Sequence, residues 1–218
     1  MSAYRILIAD DHEVVRRGIR SLLESHPGWQ ICAEAKDGRE AVDLCKELKP
    51  DLVLLDIGMP NLNGLDAARQ ILENNPLIRV LVLTIHDSDQ VVRDVLAAGA
   101  RGFLLKSDAG RDLITAVEAM QRHRTFFTSQ VAEIVLDGYL NSRPQAAPVV
   151  PRNRLTPRER EVVQLLAEGK TSKEVAVALA LSVKTAETHR TNIMRKLDLH
   201  SVADLTLYAV RNGIIQVF

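Results

Sequence analysis

No stretch of the 218-residue chain approaches the roughly 18 to 20 consecutive apolar residues that a membrane span requires. The chain also lacks a signal-peptide pattern, because Tyr4-Arg5-Ile6-Leu7-Ile8 enters a strand-like run directly, and this predicts a cytoplasmic protein with no membrane partner. Cysteine is scarce. Cys32 and Cys45 are the two present, one in a predicted strand and one on the apolar side of a predicted helix. With no partner spacing for zinc, both are expected to be reduced core residues. Aromatic residues make up 4% of the chain, and its C-terminal part holds only Tyr208 and Phe218. That argues against an RNA reader, which stacks bases on aromatic rings. Net charge is zero, yet residues 1–145 carry 17 basic against 21 acidic residues, a net −4, whereas residues 146–218 carry 11 against 7, a net +4. A small basic part behind a larger acidic one hints at two functions, the second with an anionic partner such as nucleic acid.

The most informative stretch is Asp51-Leu52-Val53-Leu54-Leu55-Asp56-Ile57-Gly58-Met59-Pro60-Asn61-Leu62-Asn63-Gly64. Its first half is an unbroken apolar run, which fits a strand buried on both faces. Gly58, Pro60, Asn63 and Gly64 then force a loop, leaving Asp56 at the rim of a sheet. An isolated Asp there would be read as a cap of the next turn. Its neighbours decide otherwise.

From Arg5 to about Lys106, strand-like runs alternate with amphipathic helical stretches. Strands are expected at Ile6–Ala9, Trp29–Ala35, Leu52–Asp56, Arg79–Thr84 and Gly102–Lys106, with Asp37-Gly38-Arg39-Glu40 as a capping-box start for the second helix. Five β-α repeats predict an α/β, doubly wound, five-stranded parallel sheet in the flavodoxin-like order 2-1-3-4-5. In that order the strands ending at Asp10-Asp11, Asp56, Thr84 and Lys106 are neighbours, so these side chains converge on one rim. Three crowded carboxylates repel one another unless a cation joins them, and hard oxygen ligands beside a phosphate site suit Mg²⁺. A Lys and a Thr hydroxyl beside the cation would hold the remaining phosphoryl oxygens. The constellation describes an Asp nucleophile that accepts a phosphoryl group with metal help.

Residues 3–125 thus resemble a receiver domain of a two-component response regulator, on Asp10-Asp11, Asp56-Ile57-Gly58-Met59-Pro60, Gly64, Thr84 and Lys106. The resemblance implies that Asp56 takes a phosphoryl group from the phosphohistidine of a sensor histidine kinase. It implies Mg²⁺ held directly by Asp11, Asp56 and the Gly58 carbonyl, with Asp10 acting through water, while Lys106 pairs with the phosphoryl oxygens and Thr84 moves toward them. Phe103 falls on the family's switch-aromatic position, although it also reads as a strand side chain packed beside the last helix. Gly58 and His86 border the phosphoryl site in this family. His12, His26, His123 and His200 share no ligand spacing and are expected to serve as surface, capping or packing residues.

Residues 126–153 read as a linker, with a short helix over 128–140 and then Pro144 to Pro151, semi-extended, whose Val149-Val150 could dock on a domain. A small all-α domain occupies 154–218. Thr156-Pro157-Arg158-Glu159 and Thr171-Ser172-Lys173-Glu174 are capping boxes, and Ser182 can cap a third helix. Two short helices joined by a tight turn make a helix-turn-helix. On the third helix Ala186, Ile193 and Leu197 share the packing side, with Lys184, Glu187, Thr188, Thr191 and Arg195 opposite. A solvated polar face would read the same way. After a helix-turn in a basic domain, the face suits the major groove of double-stranded DNA, with Glu187, Thr188 and Thr191 toward base edges and Lys184, Arg190 and Arg195 toward phosphates. Leu155-Thr156-Pro157-Arg158-Glu159 and Ser182 through Arg190 resemble the LuxR-type helix-turn-helix. Receiver plus this domain resembles the NarL/FixJ family of transcriptional regulators.

In the last helix, from Ser201 to Asn212, Leu205 and Ala209 can face the core, while Val202, Leu207, Tyr208 and Val210 spread apolar surface beyond one stripe. Either the domain wraps this helix or a second subunit covers it. The family dimerises through it on DNA, which makes Val202, Leu205 and Tyr208 candidate contacts of an active homodimer. A phosphohydrolase is a rival of another class, but the position two residues after Asp56 is Gly58 rather than a second Asp. A constitutive DNA binder with vestigial phosphorylation is a closer alternative. The expectation is a response regulator whose phosphorylation on Asp56 controls DNA binding, and not an enzyme for external substrates.

Overall fold

The computed structural model describes residues 3–85, 88–128, 131–133 and 155–215. The chain divides into two compact units, Met1–Arg143 and Pro144–Phe218. The Pro-rich stretch 144–151, most of the helix expected over 128–140, and His86 lie outside the described residues.

In the first unit β1 (Tyr4–Ala9), β2 (Trp29–Ala35), β3 (Leu52–Asp56), β4 (Arg79–Thr84) and β5 (Gly102–Leu105) alternate with α1 (Glu13–Glu24), α2 (Gly38–Leu48), α3 (Gly64–Asn74), α4 (Asp89–Ala97) and α5 (Ala109–Gln121). The strands pair in parallel in the order β2-β1-β3-β4-β5, as the β-α alternation predicts. All five residues of β3 are buried because both faces are covered. Leu52 and Leu54 pack with Ile19 and Leu23 of α1 and Leu113, Val117 and Met120 of α5. Val53 and Leu55 point the other way, into the layer built by Val42 of α2, Ala67 and Ile71 of α3, and Val92 and Val95 of α4. Each such buried Leu or Ile contributes roughly 1.5–3 kcal/mol. The sheet is therefore held hardest at its centre, next to the rim that matters.

Two local expectations differ in detail. Asp37 caps α2 by accepting from the Glu40 N–H at 2.9 Å, but the Glu40 carboxylate accepts from the Lys36 N–H, one residue before the cap, so the reciprocal box is not closed. Phe126, the first residue of the expected linker, is bridged to the outer edge of β5. Its carbonyl accepts from the Phe103 N–H at 3.0 Å, and its N–H donates to the Arg101 carbonyl at 3.2 Å. Pairing there gives partners to backbone groups that an edge strand would leave open. Cys32 and Cys45 are free thiols, and burial pushes Cys45 up to about 12.

The second unit packs α6 (Pro157–Ala167), α7 (Ser172–Ala178), α8 (Val183–Leu197) and α9 (Val202–Arg211) around Val162, Val163, Leu165, Val175, Ala176, Ala186, Ile193, Leu205 and Ala209. Complete capping boxes start α6, α7 and α9 at Thr156, Thr171 and Ser201, and Ser182 caps α8 through the Thr185 N–H at 3.1 Å. The chain reverses between α7 and α8 at Ala180, whose φ of 52° takes the left-handed region while the Leu181 N–H donates to the Ala176 carbonyl at 2.8 Å.

Candidate functional site

Strand register assembles the rim. Ala9 of β1 pairs with Leu55 of β3, so Asp10 and Asp56 leave their strands side by side. Asp56 pairs with Leu83, and Thr84 with Leu105, which puts Thr84 and then Lys106 one step further on along the neighbouring strands. Asp10, Asp56 and Thr84 are buried, at 1%, 5% and 1% exposure.

The Lys106 ammonium lies 2.7 Å from Asp10 Oδ2 and 2.8 Å from Asp56 Oδ2, with 15% of its side chain exposed. The other Asp56 oxygen, Oδ1, accepts from the Ile57 N–H at 2.8 Å. Burial pushes the Asp56 carboxyl above its ordinary value; Lys106 opposes that shift and the Asp10 charge adds to it. For Lys106 burial works against the charged form, yet the two carboxylates outweigh it and raise its value. For Lys106 the direction follows from one cation with two anionic partners, whereas for Asp56 the loss of hydration outweighs its share of that cation.

Asp11 stands beside this pair, and ligand atoms of Asp10, Asp11, His12 and Asp56 all lie within 4.8 Å of one another. His12 was expected to be a surface, capping or packing residue. It is exposed at the N-cap position of α1, and it also joins the acidic group: its Nδ1 is 2.6 Å from Asp11 Oδ1 and 3.3 Å from Asp10 Oδ1, and its backbone N–H donates to Asp10 Oδ1 at 2.8 Å. Its signal was direct adjacency to Asp10-Asp11, outside the search for a repeated ligand spacing. The other three histidines hold no such place. His26 stacks on Trp29 with ring centroids 3.7 Å apart, His123 Nδ1 is 2.7 Å from an Arg79 nitrogen, and His200 is exposed beside Asp198 at 3.8 Å.

The loop after Asp56 is built tightly. The Met59 and Gly64 N–H groups both donate to the Ile57 carbonyl, at 3.0 and 2.9 Å, and half-buried Gly58 lies inside that turn. A Cβ on Gly64 would stand 1.9 Å from the Asp56 carbonyl oxygen, so only glycine lets α3 start this close to the end of β3. Asn63 caps α3 through the Asp66 N–H at 2.9 Å, and Asn61 donates to Asp37 Oδ2 at 2.8 Å, tying the loop to the start of α2. Phe103 is 1% exposed and points into the layer that also holds Val131 and, at its margin, Phe127.

In the second unit Lys184, Glu187, Thr188, Thr191 and Arg195 are all exposed on α8, whereas Arg190 and His189 are half-buried. The Thr188 and Thr191 hydroxyls donate to the Lys184 and Glu187 carbonyls, at 2.8 and 3.0 Å, and keep their lone pairs for a partner. Arg195 donates to Asn192 Oδ1 at 3.2 Å, and Lys184 and Arg190 have no ion-pair partner among the described residues. Leu205, read both as a core residue and as a dimer contact, is 1% exposed and lies with Ala209 in the domain's own core, which bears out the first reading and leaves little of its surface for a second subunit. Val202, Leu207 and Val210 are the large apolar residues that α9 leaves exposed, and Tyr208 is half-buried against the core.

Residues 6–118 match the response regulator receiver domain, and residues 153–209 match the luxR family of bacterial regulatory proteins. The chain is 38% identical over 211 residues to the transcriptional regulatory protein LiaR of Bacillus subtilis strain 168, spanning 97% of this chain and 99% of LiaR. It is 35% identical over 214 residues to the oxygen regulatory protein NreC of Staphylococcus carnosus strain TM300, with the same coverage of 97% and 99%. Among solved structures, the RcsB response regulator of Salmonella typhimurium is similar with a TM-score of 0.61 at 26% identity, over 97% of this chain and 99% of that one. A complex of the response regulator RcsB with DNA scores 0.58 at 27% identity over the same shares, 97% and 99%. No helix among the described residues is long and apolar enough to cross a membrane. With the receiver match spanning more than half of the chain and full-length relatives above 30% identity, the chain belongs to the NarL/FixJ family of two-component response regulators, a receiver domain joined to a LuxR-type helix-turn-helix domain.

Proposed function

We propose that Mg²⁺-dependent phosphorylation of Asp56 by a sensor histidine kinase controls dimerisation and sequence-specific binding to double-stranded DNA, and through them transcription. Residues 3–125 are the phosphoacceptor domain, 126–153 the linker and 154–218 the DNA-binding domain in this reading. The observation that carries it is one ammonium, Lys106, shared by two buried carboxylates while Asp11 stands beside them. Three carboxylates against one lysine leave a surplus of negative charge on hard oxygen atoms, and a small divalent cation is the partner that such a set fits. Asp11, Asp56 and the Gly58 carbonyl would hold Mg²⁺, with Asp10 acting through water. When bound, the ion neutralises charge on the phosphoryl oxygens.

An Asp56 oxygen attacks the phosphorus of a phosphohistidine; the new O–P bond forms as the N–P bond breaks and the imidazole leaves. Lys106 then pairs with the phosphoryl oxygens, Thr84 moves to meet them, and Phe103 repacks with the element it sits on. Hydrolysis of the Asp56 phosphoryl group resets the protein, which acts on no external substrate. The output is the exposed face of α8: Glu187, Thr188 and Thr191 toward base edges, and Lys184, Arg190 and Arg195 toward phosphates. RcsB has been solved as dimers on DNA. A two-fold dimer of this chain, formed through Val202 and Tyr208 of α9, reads half-sites about 10 base pairs apart. Binding to DNA places its action in the cytoplasm.

The test is binding of the full chain to promoter fragments with and without beryllofluoride and Mg²⁺, for wild type and Asp56→Asn. Tighter binding of the wild type alone supports the reading. Equal binding by both proteins under all conditions removes phosphorylation as the control.

A further inference from the structure

Arg16 belongs to none of the motifs above, yet it reaches the site. It lies in the first turns of α1 with a largely buried side chain, 15% exposed. Its Nη1 donates to the Asp10 carbonyl at 2.7 Å, and its Nε donates to Glu34 Oε2 on β2 at 3.3 Å. The Asp10 carbonyl belongs to the peptide that carries the Asp11 nitrogen. Its orientation therefore decides where the Asp11 carboxylate hangs. The Asp10 N–H is already held by the Ala35 carbonyl at 3.1 Å, so Arg16 supplies the second anchor and closes the turn between β1 and α1.

Glu34 explains why a cation can stand here without spoiling a cation site. Its carboxylate also pairs with Arg20, which in turn donates to Glu24 at 2.8 Å. The Arg16 charge is thereby balanced by a carboxylate outside the acidic cluster, and two acceptors hold the guanidinium in orientation. A lysine at this position would replace the planar fork by one nitrogen on a flexible stem, so it could reach two acceptors, as Lys106 does, without fixing their mutual geometry.

We propose that Arg16 is a positioning residue for the cation site: held by Glu34, it sets the Asp10–Asp11 peptide so that Asp11 meets Mg²⁺. The inference rests on the reading that the acidic cluster binds Mg²⁺. Residues that orient ligands in this way cost about 10- to 100-fold in metal affinity when removed.

The experiment titrates Mg²⁺ alone into the full-length protein and follows the Ile57 amide resonance, alongside phosphoryl uptake from a small phosphoryl donor at each Mg²⁺ concentration. Arg16→Met is expected to raise the half-saturating Mg²⁺ concentration about tenfold or more, with uptake at saturating Mg²⁺ returning to the wild-type level. Arg16→Lys falls between the two. Glu34→Gln keeps Arg16 in place but leaves its charge unbalanced; it is expected to raise the concentration by a smaller factor, and it decides the matter if Arg16→Met melts early. Wild-type Mg²⁺ affinity in both Arg16→Met and Glu34→Gln overturns the inference while leaving the proposed function standing. Absence of saturable, Asp11-dependent binding in the wild type overturns both, and Asp11→Asn is the control that separates the two results.

Discussion

Replacing Gly64 by alanine tests the link between backbone packing and the phosphoacceptor. The new Cβ would lie 1.9 Å from the Asp56 carbonyl oxygen, 2.8 Å from the Asp56 carbonyl carbon and 3.0 Å from the Ile57 Cα, all backbone atoms. Ordinary contact begins at 3.4 Å, so about 1.5 Å of relief must come from the end of β3 or the start of α3. Neither gives easily, because Leu55 and Ile57 on either side of Asp56 are buried and the Gly64 N–H is bonded to the Ile57 carbonyl. Overpacking of this kind costs about 3 kcal/mol, and for a domain of this size that lowers the melting temperature by roughly 10 °C. The same shift moves the Asp56 carboxylate off Lys106, and misplacing a reacting group by about 1 Å costs on the order of 100-fold in rate. Melting is followed at Trp29, the one tryptophan, buried where β2 begins and bonded to Gln121 of α5 at 3.1 Å, so it reports on the first unit alone. Phosphoryl uptake is measured on the same samples. Gly18→Ala is the paired control: Gly18 lies inside α1 with nothing within 4 Å of a Cβ, and helix propensity predicts a gain of up to about 1 kcal/mol. A Gly64→Ala protein that melts within about 1 °C of wild type and takes up phosphoryl groups normally would refute the close-approach argument.

Lys106→Met strands Asp10 and Asp56 without their cation. It should destabilise the first unit by about 3 kcal/mol at neutral pH, the cost of breaking a buried pair, and added Mg²⁺ should recover part of the loss in a thermal melt. Asp56→Asn should act in the opposite sense. Burial raises the Asp56 pKa in the folded protein, so the ionised carboxylate costs stability once pH exceeds the unfolded value of 3.8. The variant should melt above wild type at pH 7, and the gap should close as pH falls toward that value; a gap independent of pH would contradict the assignment. Lys184→Ala, on the exposed face of α8, should weaken DNA binding evenly across sequences and reduce the slope of log affinity against log salt by about 0.9 per protomer.

The parallel sheet was legible because strand and helix periods are local signals. The apolar run before Asp56 fits a strand covered on both faces better than a half-exposed one, and helix starts at Thr156, Thr171 and Ser201 carry their partners three residues on. The convergence of Asp10, Asp56, Thr84 and Lys106 followed from strand order alone, since residues that end neighbouring parallel strands must share a rim. Leu205 carried two readings, core residue and dimer contact, because periodicity identifies an apolar stripe without saying whether the domain itself covers it; its burial answers for the core. His12 was missed because a lone histidine has no spacing to reveal it, and its position depends on how the turn after β1 folds back. Phe126 lay beyond the last helix and gave no strand pattern, so its bridge to β5 could not be anticipated.

The sequence by itself determined the element order, the sheet topology, the acidic rim and the polar face of α8. These depend on contacts between neighbours in the chain or on a pairing order with few alternatives. Only the tertiary structure decided which charges meet. The sharing of Lys106 by two carboxylates, the entry of His12 into the cluster and the reach of Arg16 from α1 to the Asp10 carbonyl each depend on side-chain distances of about 3 Å between separate elements. A periodic pattern says which face a residue lies on; whether two polar atoms come within hydrogen-bonding distance is set by the packing of the faces against one another.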